Sequence, residues 1–116
     1  YQNGTIVINA NGTQTRDYIY VDDAVEAMVV AANAPEINQD IINIGSGRET
    51  SVRDLARLAI EITGGSPEII TNTRNDGGPN RLAADISLAE RKLNYKPQIS
   101  LEAGMRLTFE KLFKSH

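Results

Sequence analysis

The apolar and polar positions of the first forty residues predict two short strands and one helix. Residues 5–8 are mostly apolar and residues 18–21 are aromatic or β-branched, which is the composition of strands. A polar turn at residues 9–13, with Gly12 at positive φ, would join the two runs as an antiparallel pair. Asp22 and Asp23 then offer an N-cap and a first-turn carboxylate, so a helix is expected to begin there. Its buried face is predicted from residues at helical spacing, namely Val25, Met28, Val29 and Ala32.

The middle of the chain follows a strand, helix, strand pattern after a proline that ends the first helix. The apolar residues 41–44 are expected to form a buried strand. Ser51 and Asp54 have the spacing of a capping box, which begins a second helix, and the glycine pair 64–65 ends it. Residues 68–71 then form another strand. This order predicts an α/β fold: a small, right-handed, parallel βαβ-containing unit with flanking helices.

Two further helices are expected in the last thirty residues of the chain. Ser87 and Glu90 have capping-box spacing, and residues 94–97 end the helix that they begin. Ser100 is expected to cap the last helix, in which Gly104 either weakens the helix or permits close packing.

Composition narrows the classes of function. Of the 116 residues, 41% are hydrophobic and 23% are charged, as in a globular protein with one core. The net charge of -3 and the sequence pI of about 5.1 disfavour nucleic acid and anionic membranes as partners. The sequence has no cysteine, which excludes disulfides and thiolate metal sites. Because there is no apolar run of ~18 residues and no secretory signal, a cytoplasmic location is expected.

Arg16 is the first candidate for binding chemistry. It stands between a turn and a predicted strand that feeds the first helix, so its fork of donors suits a phosphate or a carboxylate ligand. The alternative, from spacing alone, is a surface ion pair with Asp17 or Asp22.

The Gly-Ser-Gly turn at residues 45–47 is the second candidate, because a dinucleotide pyrophosphate can bind where a strand meets a helix. Thr50 stands where the dinucleotide-binding pattern has its third glycine, and no acidic residue closes the following strand. A structural turn is therefore expected here, with no cofactor bound.

Four runs along the chain resemble a known family. Residues 12–23, Gly-Thr-Gln-Thr-Arg-Asp-Tyr-Ile-Tyr-Val-Asp-Asp, are similar to the segment that opens the substrate lobe of NAD-dependent nucleotide-sugar epimerases and dehydratases, the extended short-chain dehydrogenase/reductase (SDR) family. Residues 41–47, 84–89 and 93–104 resemble later patterns of that family in the expected order. The resemblance, which is to UDP-glucose 4-epimerase-like members, covers nearly the whole chain.

The resemblance implies that residues 1–116 are a single C-terminal substrate-binding domain of a longer enzyme, and the start at Tyr1 instead of Met fits a fragment. It implies NAD as the cofactor, held by an N-terminal Rossmann lobe that is absent here, and a homodimer at full length. No tyrosine has the lysine four residues later that the family's catalytic Tyr-x-x-x-Lys pair requires. We therefore expect no catalytic residue in this chain, which should be inactive alone.

The implied ligand is a nucleotide-diphosphate sugar. The substrate-binding residues implied by the resemblance are Gln14, Arg16, Arg74 and Arg81. The family's Arg-x-Gly-Asp loop falls at residues 72–80, so either Arg74 or Arg81 would reach the diphosphate. No metal is expected. The alternative is a non-catalytic binding or interaction module of the same fold. In a chain without the Rossmann lobe, the apolar face of residues 25–32 should be exposed or hidden by self-association.

Overall fold

The computed structural model describes residues 4–74 and 78–114, which form an α/β fold. The strands are β1 (Thr5–Ile8), β2 (Thr15–Arg16), β3 (Thr50–Ser51) and β4 (Glu68–Thr71). The helices are α1 (Val21–Asn33), α2 (Val52–Thr63), α3 (Ser87–Leu93) and α4 (Leu101–Lys114). The predicted α/β class is confirmed. Tyr1 and residues 75–77 of the predicted loop lie outside the described residues.

The strands form two separate pairs. β1 runs parallel to β4, from Thr5 opposite Glu68 to Ile8 opposite Thr71. β2 runs antiparallel to β3, with Thr15 opposite Ser51. The predicted antiparallel pairing of residues 5–8 with residues 18–21 is wrong, because β4 takes that edge and α1 and α2 supply the crossover that a parallel pair requires.

Two predicted strands do not form. Residues 18–20 lead directly into α1, since Tyr20 is the extended N-cap of that helix, and residues 41–44 form neither a strand nor a helix. Ile41 is 89% exposed, whereas Ile42 and Ile44 pack on the core. The parallel pair of the predicted βαβ unit therefore exists, but its first strand is β1 instead of residues 41–44.

The start of α1 also differs from the prediction. Asp22 and Asp23 lie within its first turn, and no side chain caps the helix. Asp23 is 3% exposed and accepts hydrogen bonds from the backbone N–H groups of Gln98 (3.1 Å) and Ile99 (3.0 Å). Instead of capping the helix, Asp23 thus joins α1 to the segment that precedes α4.

The predicted buried face of α1 is wrong as well. Val25, Met28 and Val29 are 50%, 68% and 57% exposed, whereas Ala27 is 2% exposed. The buried face runs through Asp23 and Ala27, where the small side chain lets α1 contact α3 closely. For a chain without the Rossmann lobe we expect this apolar face to be exposed or hidden by self-association, and in the single chain it is exposed.

The helix boundaries follow the capping chemistry in most places. Ser51 Oγ accepts the Asp54 N–H at 3.0 Å, and Gly64 ends α2 at a φ of 69°. Ser100 Oγ accepts the Ala103 N–H at 3.2 Å at the start of α4. These three caps confirm the predictions.

The cap of α3 differs from the prediction. The Ser87–Glu90 box does not form, because Ser87 is the first residue of the helix. Asp85 instead accepts the Ser87 N–H at 3.0 Å, so a carboxylate two residues earlier holds the first turn.

The core of the described residues is small. Ala27, Ala89, Leu93 and Tyr95 form one buried cluster, and Ile8 and Tyr20 are buried outside it. The radius of gyration is 16.9 Å, compared with about 13 Å for a compact domain of this length. α4 packs on the start of α1, where a Cβ on Gly104 would lie 3.1 Å from Tyr20 Cβ, so Gly104 permits close packing.

Candidate functional site

One open cavity of about 680 Å³ lies between the turn after β1, the end of β4 and residues 78–81. All four residues that the resemblance implies for substrate binding line it, namely Gln14, Arg16, Arg74 and Arg81. Its volume is within the usual range of small-molecule sites, roughly 300–1,000 Å³. The structure therefore brings the four residues together around one space.

The described wall of this cavity carries positive charge only. Three arginines line it, and the other lining residues are asparagine, threonine, glutamine, glycine, alanine and proline. The whole chain, in contrast, has a net charge of -3. This concentration of guanidinium groups favours an anionic ligand over a neutral one.

Arg16 is held in the cavity wall by backbone carbonyls. Its Nη1 donates to the carbonyls of Thr15 (2.7 Å) and Pro79 (2.9 Å), and the neighbouring Thr15 N–H donates to the Asn80 carbonyl at 2.8 Å. A Cβ on Gly78 would lie 3.4 Å from Arg16 Nη2, so the guanidinium rests against this backbone. The alternative of an ion pair with Asp17 or Asp22 is not found, and within residues 4–74 and 78–114 the hydrogen bonds of the Arg16 guanidinium go to neutral carbonyls.

Gln14 lies beside Arg16 in the same wall. Its Nε2 donates to the Asn9 carbonyl at 3.2 Å. Its Oε1 is buried and has no donor among the described residues. A buried acceptor without a donor is uncommon, and a water molecule or a ligand hydroxyl would satisfy it.

Arg74 approaches the cavity from the end of β4. Its backbone N–H donates to Asn72 Oδ1 at 2.9 Å, and the Asn72 side chain in turn donates to Asn9 Oδ1 at 2.9 Å. The Asn72 N–H also donates to the Ile8 carbonyl at 3.1 Å, which continues the pairing of β1 with β4. Asn72 therefore fixes the backbone of Arg74 against the turn after β1, a role that sequence reasoning missed.

Arg81 forms a two-point ion pair with Glu49. Its Nε donates to Oε1 at 2.9 Å and its Nη2 to Oε2 at 2.5 Å. The Arg81 side chain and the hydroxyl of Thr15 together lower the pKa of Glu49 to about 2. Glu49 is therefore ionised throughout the physiological range. It immediately precedes β3, and no sequence motif pointed to it.

The Gly-Ser-Gly turn folds around the carboxylate of Asp17, next to Arg16 in the chain. Asp17 Oδ2 accepts the N–H groups of Gly47 (2.9 Å) and Ala84 (3.1 Å), while Oδ1 accepts the Ser46 N–H at 2.8 Å. Burial alone would raise the pKa of Asp17, but hydrogen bonds from Ser46, Ala84 and Gly47 outweigh it and lower that pKa below 3.8. The donors that might have held a phosphate at this turn are thus used by the protein itself.

Tyr95 supports this turn from the core. Its hydroxyl donates to the Gly45 carbonyl at 2.8 Å. Burial, followed by the charges of Asp23 and Asp17, raises the pKa of Tyr95, so the hydroxyl stays protonated and donates. The described residues therefore do not fit NAD here, because the turn amides face Asp17 and the third glycine of the dinucleotide pattern is missing.

The described residues hold neither a metal-binding cluster nor a membrane-spanning helix. No group of three or more histidine, cysteine, aspartate or glutamate side chains is placed to hold a metal ion among residues 4–74 and 78–114. None of the helices described in those ranges is long and apolar enough to cross a membrane.

Comparison with known proteins shows the family to which the chain is similar. The model of the GDP-mannose 4,6 dehydratase family matches residues 2–108. The dTDP-L-rhamnose 4-epimerase of Burkholderia thailandensis is 35% identical over 101 residues, which are 86% of this chain and 28% of that protein. The relatives that match this chain are enzymes.

Two solved structures share the fold closely. The UDP-glucose 4-epimerase of Thermotoga maritima, solved with UDP-glucose, matches with a TM-score of 0.89 and 36% identity over 96% of this chain and 35% of its own. The UDP-glucuronic acid 4-epimerase of Bacillus cereus, solved with UDP-glucuronic acid and NAD, matches with a TM-score of 0.87 and 31% identity over 97% of this chain and 36% of its own.

The chain spans about a third of the length of the curated relatives it matches, and it corresponds to their C-terminal portion. The family model nevertheless covers almost all of it. The chain therefore belongs to the GDP-mannose 4,6 dehydratase family, among the nucleotide-sugar epimerases and dehydratases of the extended SDR type that its sequence resembles.

Proposed function

We propose that this chain is the nucleotide-sugar-binding portion of an NAD-dependent sugar epimerase or dehydratase, and that its arginine-walled cavity holds the diphosphate of the substrate. One observation carries the proposal: three arginines and no acidic residue line the described wall of the cavity, in a chain whose net charge is -3. The neighbours solved with UDP-glucose and with UDP-glucuronic acid support the class of ligand.

The arginines suit the two phosphates of a nucleotide sugar. Arg16 is fixed by two carbonyls through one terminal nitrogen, so the rest of its guanidinium remains for an anion. A bidentate bond to a phosphate oxygen pair would fix the position of the diphosphate, and the sugar would then extend from a defined point. Gln14 would accept a hydrogen bond from a water or ligand hydroxyl beside Arg16.

The redox chemistry belongs outside this chain. NAD would supply a transient oxidation of the sugar, and we propose that it is held by the N-terminal portion of the longer enzyme, because the turn at residues 45–47 does not fit it. In this proposal residues 1–116 form one substrate-binding domain that is inactive alone. The homodimer and the cytoplasmic location expected from the sequence belong to the same proposal.

Calorimetric titration of the chain with UDP-, GDP- and dTDP-glucose tests this function. We expect one nucleotide sugar to bind, and Arg16→Ala to weaken binding by about 2 kcal/mol, or roughly thirtyfold in Kd. Arg57→Ala is the matched control, since Arg57 lies on α2, its side chain is 66% exposed, it does not line the cavity and it pairs with Asp54 at 3.7 Å. A folded chain that binds none of the three sugars, or binds one equally well after Arg16→Ala, would refute the proposal.

One observation favours the alternative of a non-catalytic interaction module. The exposed face of α1 presents Val25, Met28 and Val29 to solvent, and such a patch is typical of a surface that contacts another protein segment. An interaction module would tolerate Arg16→Ala but not a charged residue at Met28. Comparing the two variants in the same titration and in a sedimentation experiment separates the candidates.

A further inference from the structure

Glu49 does not itself line the cavity, but it holds Arg81, an exposed arginine that does. The Arg81 side chain is 80% exposed, whereas the Glu49 side chain is 26% exposed. A long side chain this exposed would ordinarily sample many rotamers. Its two parallel hydrogen bonds to one carboxylate restrict it to a single orientation.

Glu49 is itself anchored on its other side. The hydroxyl of Thr15 donates to Oε1 of Glu49 at 2.5 Å. Thr15 lies in β2 beside Arg16, and its backbone N–H donates to the carbonyl of Asn80, the residue before Arg81. A closed ring of bonds through Thr15, Glu49 and Arg81 therefore links the two sides of the cavity wall.

The hydrogen bonds of Arg81 leave part of its guanidinium unused. Glu49 engages Nε and one N–H of Nη2, and a guanidinium has five N–H groups. One N–H of Nη1 and the second N–H of Nη2 lie side by side on the adjacent, outer edge of the guanidinium, which no other described residue is seen to engage. A phosphate can bind at that edge without displacing Glu49.

We propose that Glu49 is a positioning residue for substrate binding, which holds Arg81 so that its free edge receives the diphosphate. The proposal rests on the function proposed above. A preorganised arginine loses less rotamer freedom on binding than a mobile one, so Glu49 increases the affinity for the ligand through Arg81.

The negative charge of Glu49, taken alone, would lower the affinity for an anionic ligand, whereas its positioning of Arg81 raises that affinity. The direction of the change in Kd can therefore test the proposal. A carboxylate near an anionic ligand repels it, so the loss of that charge alone would tighten binding. Loss of the positioning effect would weaken binding instead. The direction of the change after Glu49→Gln therefore distinguishes a positioning residue from a mere neighbouring charge.

A double-mutant cycle with UDP as the probe tests this proposal. We expect Glu49→Gln to raise the Kd for UDP roughly tenfold in the native chain and to change it little in an Arg81→Ala background. Thr15→Val, which removes the second anchor of Glu49, should raise the Kd in the same direction by a smaller factor. Glu61→Gln, at an exposed position on α2, is the matched control for the loss of one negative charge.

The outcomes separate this proposal from the function on which it rests. Thermal unfolding of each variant shows that it remains folded before its Kd is compared. If the chain binds UDP and Arg16→Ala weakens that binding, but Glu49→Gln leaves the Kd unchanged or lowers it, the positioning role is refuted and the proposed function stands. An effect of Glu49→Gln that is equally large without Arg81 also refutes the positioning role. A chain that prefers GDP or dTDP is tested in the same cycle with that nucleotide as the probe, and a folded chain that binds none of UDP, GDP and dTDP refutes both.

Discussion

Asp17 Oδ1 accepts two hydrogen bonds from Ser46, one from the backbone N–H at 2.8 Å and one from the hydroxyl at 2.5 Å. The other oxygen of the same carboxylate accepts the N–H groups of Gly47 and Ala84. Three segments far apart in sequence therefore meet at one side chain. Because Arg16 is the preceding residue, this junction also sets the position of the strand that carries the candidate ligand arginine.

Asp17→Asn is expected to destabilise the chain. An asparagine presents an NH₂ group where the carboxylate accepts from backbone donors, so at least one donor loses its partner. We expect a loss of about 1–3 kcal/mol in the free energy of unfolding at pH 7, measured by urea denaturation. Asp22→Asn, in the exposed first turn of α1, controls for the loss of charge.

The same variant should change the acid sensitivity of the fold. The pKa of Asp17 is lower in the folded state than its ordinary value of 3.8, so the carboxylate stabilises the fold above that value. This contribution is lost as the pH falls through the lowered folded-state pKa. The stability difference between the native chain and Asp17→Asn should therefore be full at pH 7 and shrink below about pH 4. A difference that stays constant down to pH 2 would contradict this role for the charge.

Gly45 is expected to reject any side chain. A Cβ there would lie 2.6 Å from both Ala84 Cβ and Asp17 Oδ2, and the turn is also tied to Tyr95. We expect Gly45→Ala to cost about 1–3 kcal/mol of stability through overpacking. Gly4→Ala is the control, because a Cβ on Gly4 has no atom within 4 Å. Equal melting temperatures for the two variants would show that the turn can move away from Asp17.

Local chemistry could be predicted from the sequence wherever a few neighbouring residues decide the structure. The caps at Ser51 and Ser100 depend on a hydroxyl that accepts an N–H three residues later, and the cap at Gly64 depends on a left-handed backbone that glycine adopts readily; all three are found. Strand partners could not be predicted in the same way. β1 pairs with β4, and two helices lie between them in the sequence. The residues of the turn after β1 do not indicate this distant partner.

The prediction of the buried face of α1 was wrong because two sets of residues on this helix both repeat at helical spacing. Val25, Met28 and Val29 look like a core stripe, yet Asp23 and Ala27 form the buried one. Hydrophobicity alone predicts that the larger side chains are buried. Close packing of α1 against α3 instead requires the small side chains to be on the buried face. The phase of a helix is thus set by its neighbours, and the sequence shows only its period.

The site was partly predictable for a related reason. A resemblance identified Gln14, Arg16, Arg74 and Arg81, and all four line one cavity. The residues that support them, Asp17 and Glu49, were not recognised, since each is an acidic residue whose partners lie about thirty or more positions away. Asp17 beside Arg16 was the available signal, but it indicated a local ion pair instead of a junction.

Asp23 and Asp22 form a matched pair for measuring a buried carboxylate. Both lie in the first turn of α1, so both interact with the helix dipole, but Asp23 alone accepts the N–H groups of Gln98 and Ile99. We expect Asp22→Ala to cost roughly 0.3–1 kcal/mol. Asp23→Ala should cost about 2 kcal/mol more, because it leaves those N–H groups without their partner. Equal losses in urea denaturation would mean that the dipole accounts for both residues.

The exposed face of α1 predicts how the chain behaves at high concentration. Val25, Met28 and Val29 form one apolar surface with no covering element in the part of the chain that the structure describes, and contiguous patches of this kind drive association. We expect the apparent mass in sedimentation equilibrium to rise with concentration, and Met28→Lys combined with Val29→Lys to lower it towards the monomer. Leu82→Lys, an exposed apolar position outside the helices, should have little effect. A native chain that remains monomeric at the highest concentration reached would show that this face needs no partner. The exposed face would then no longer support the proposal that it packs against the rest of a longer enzyme.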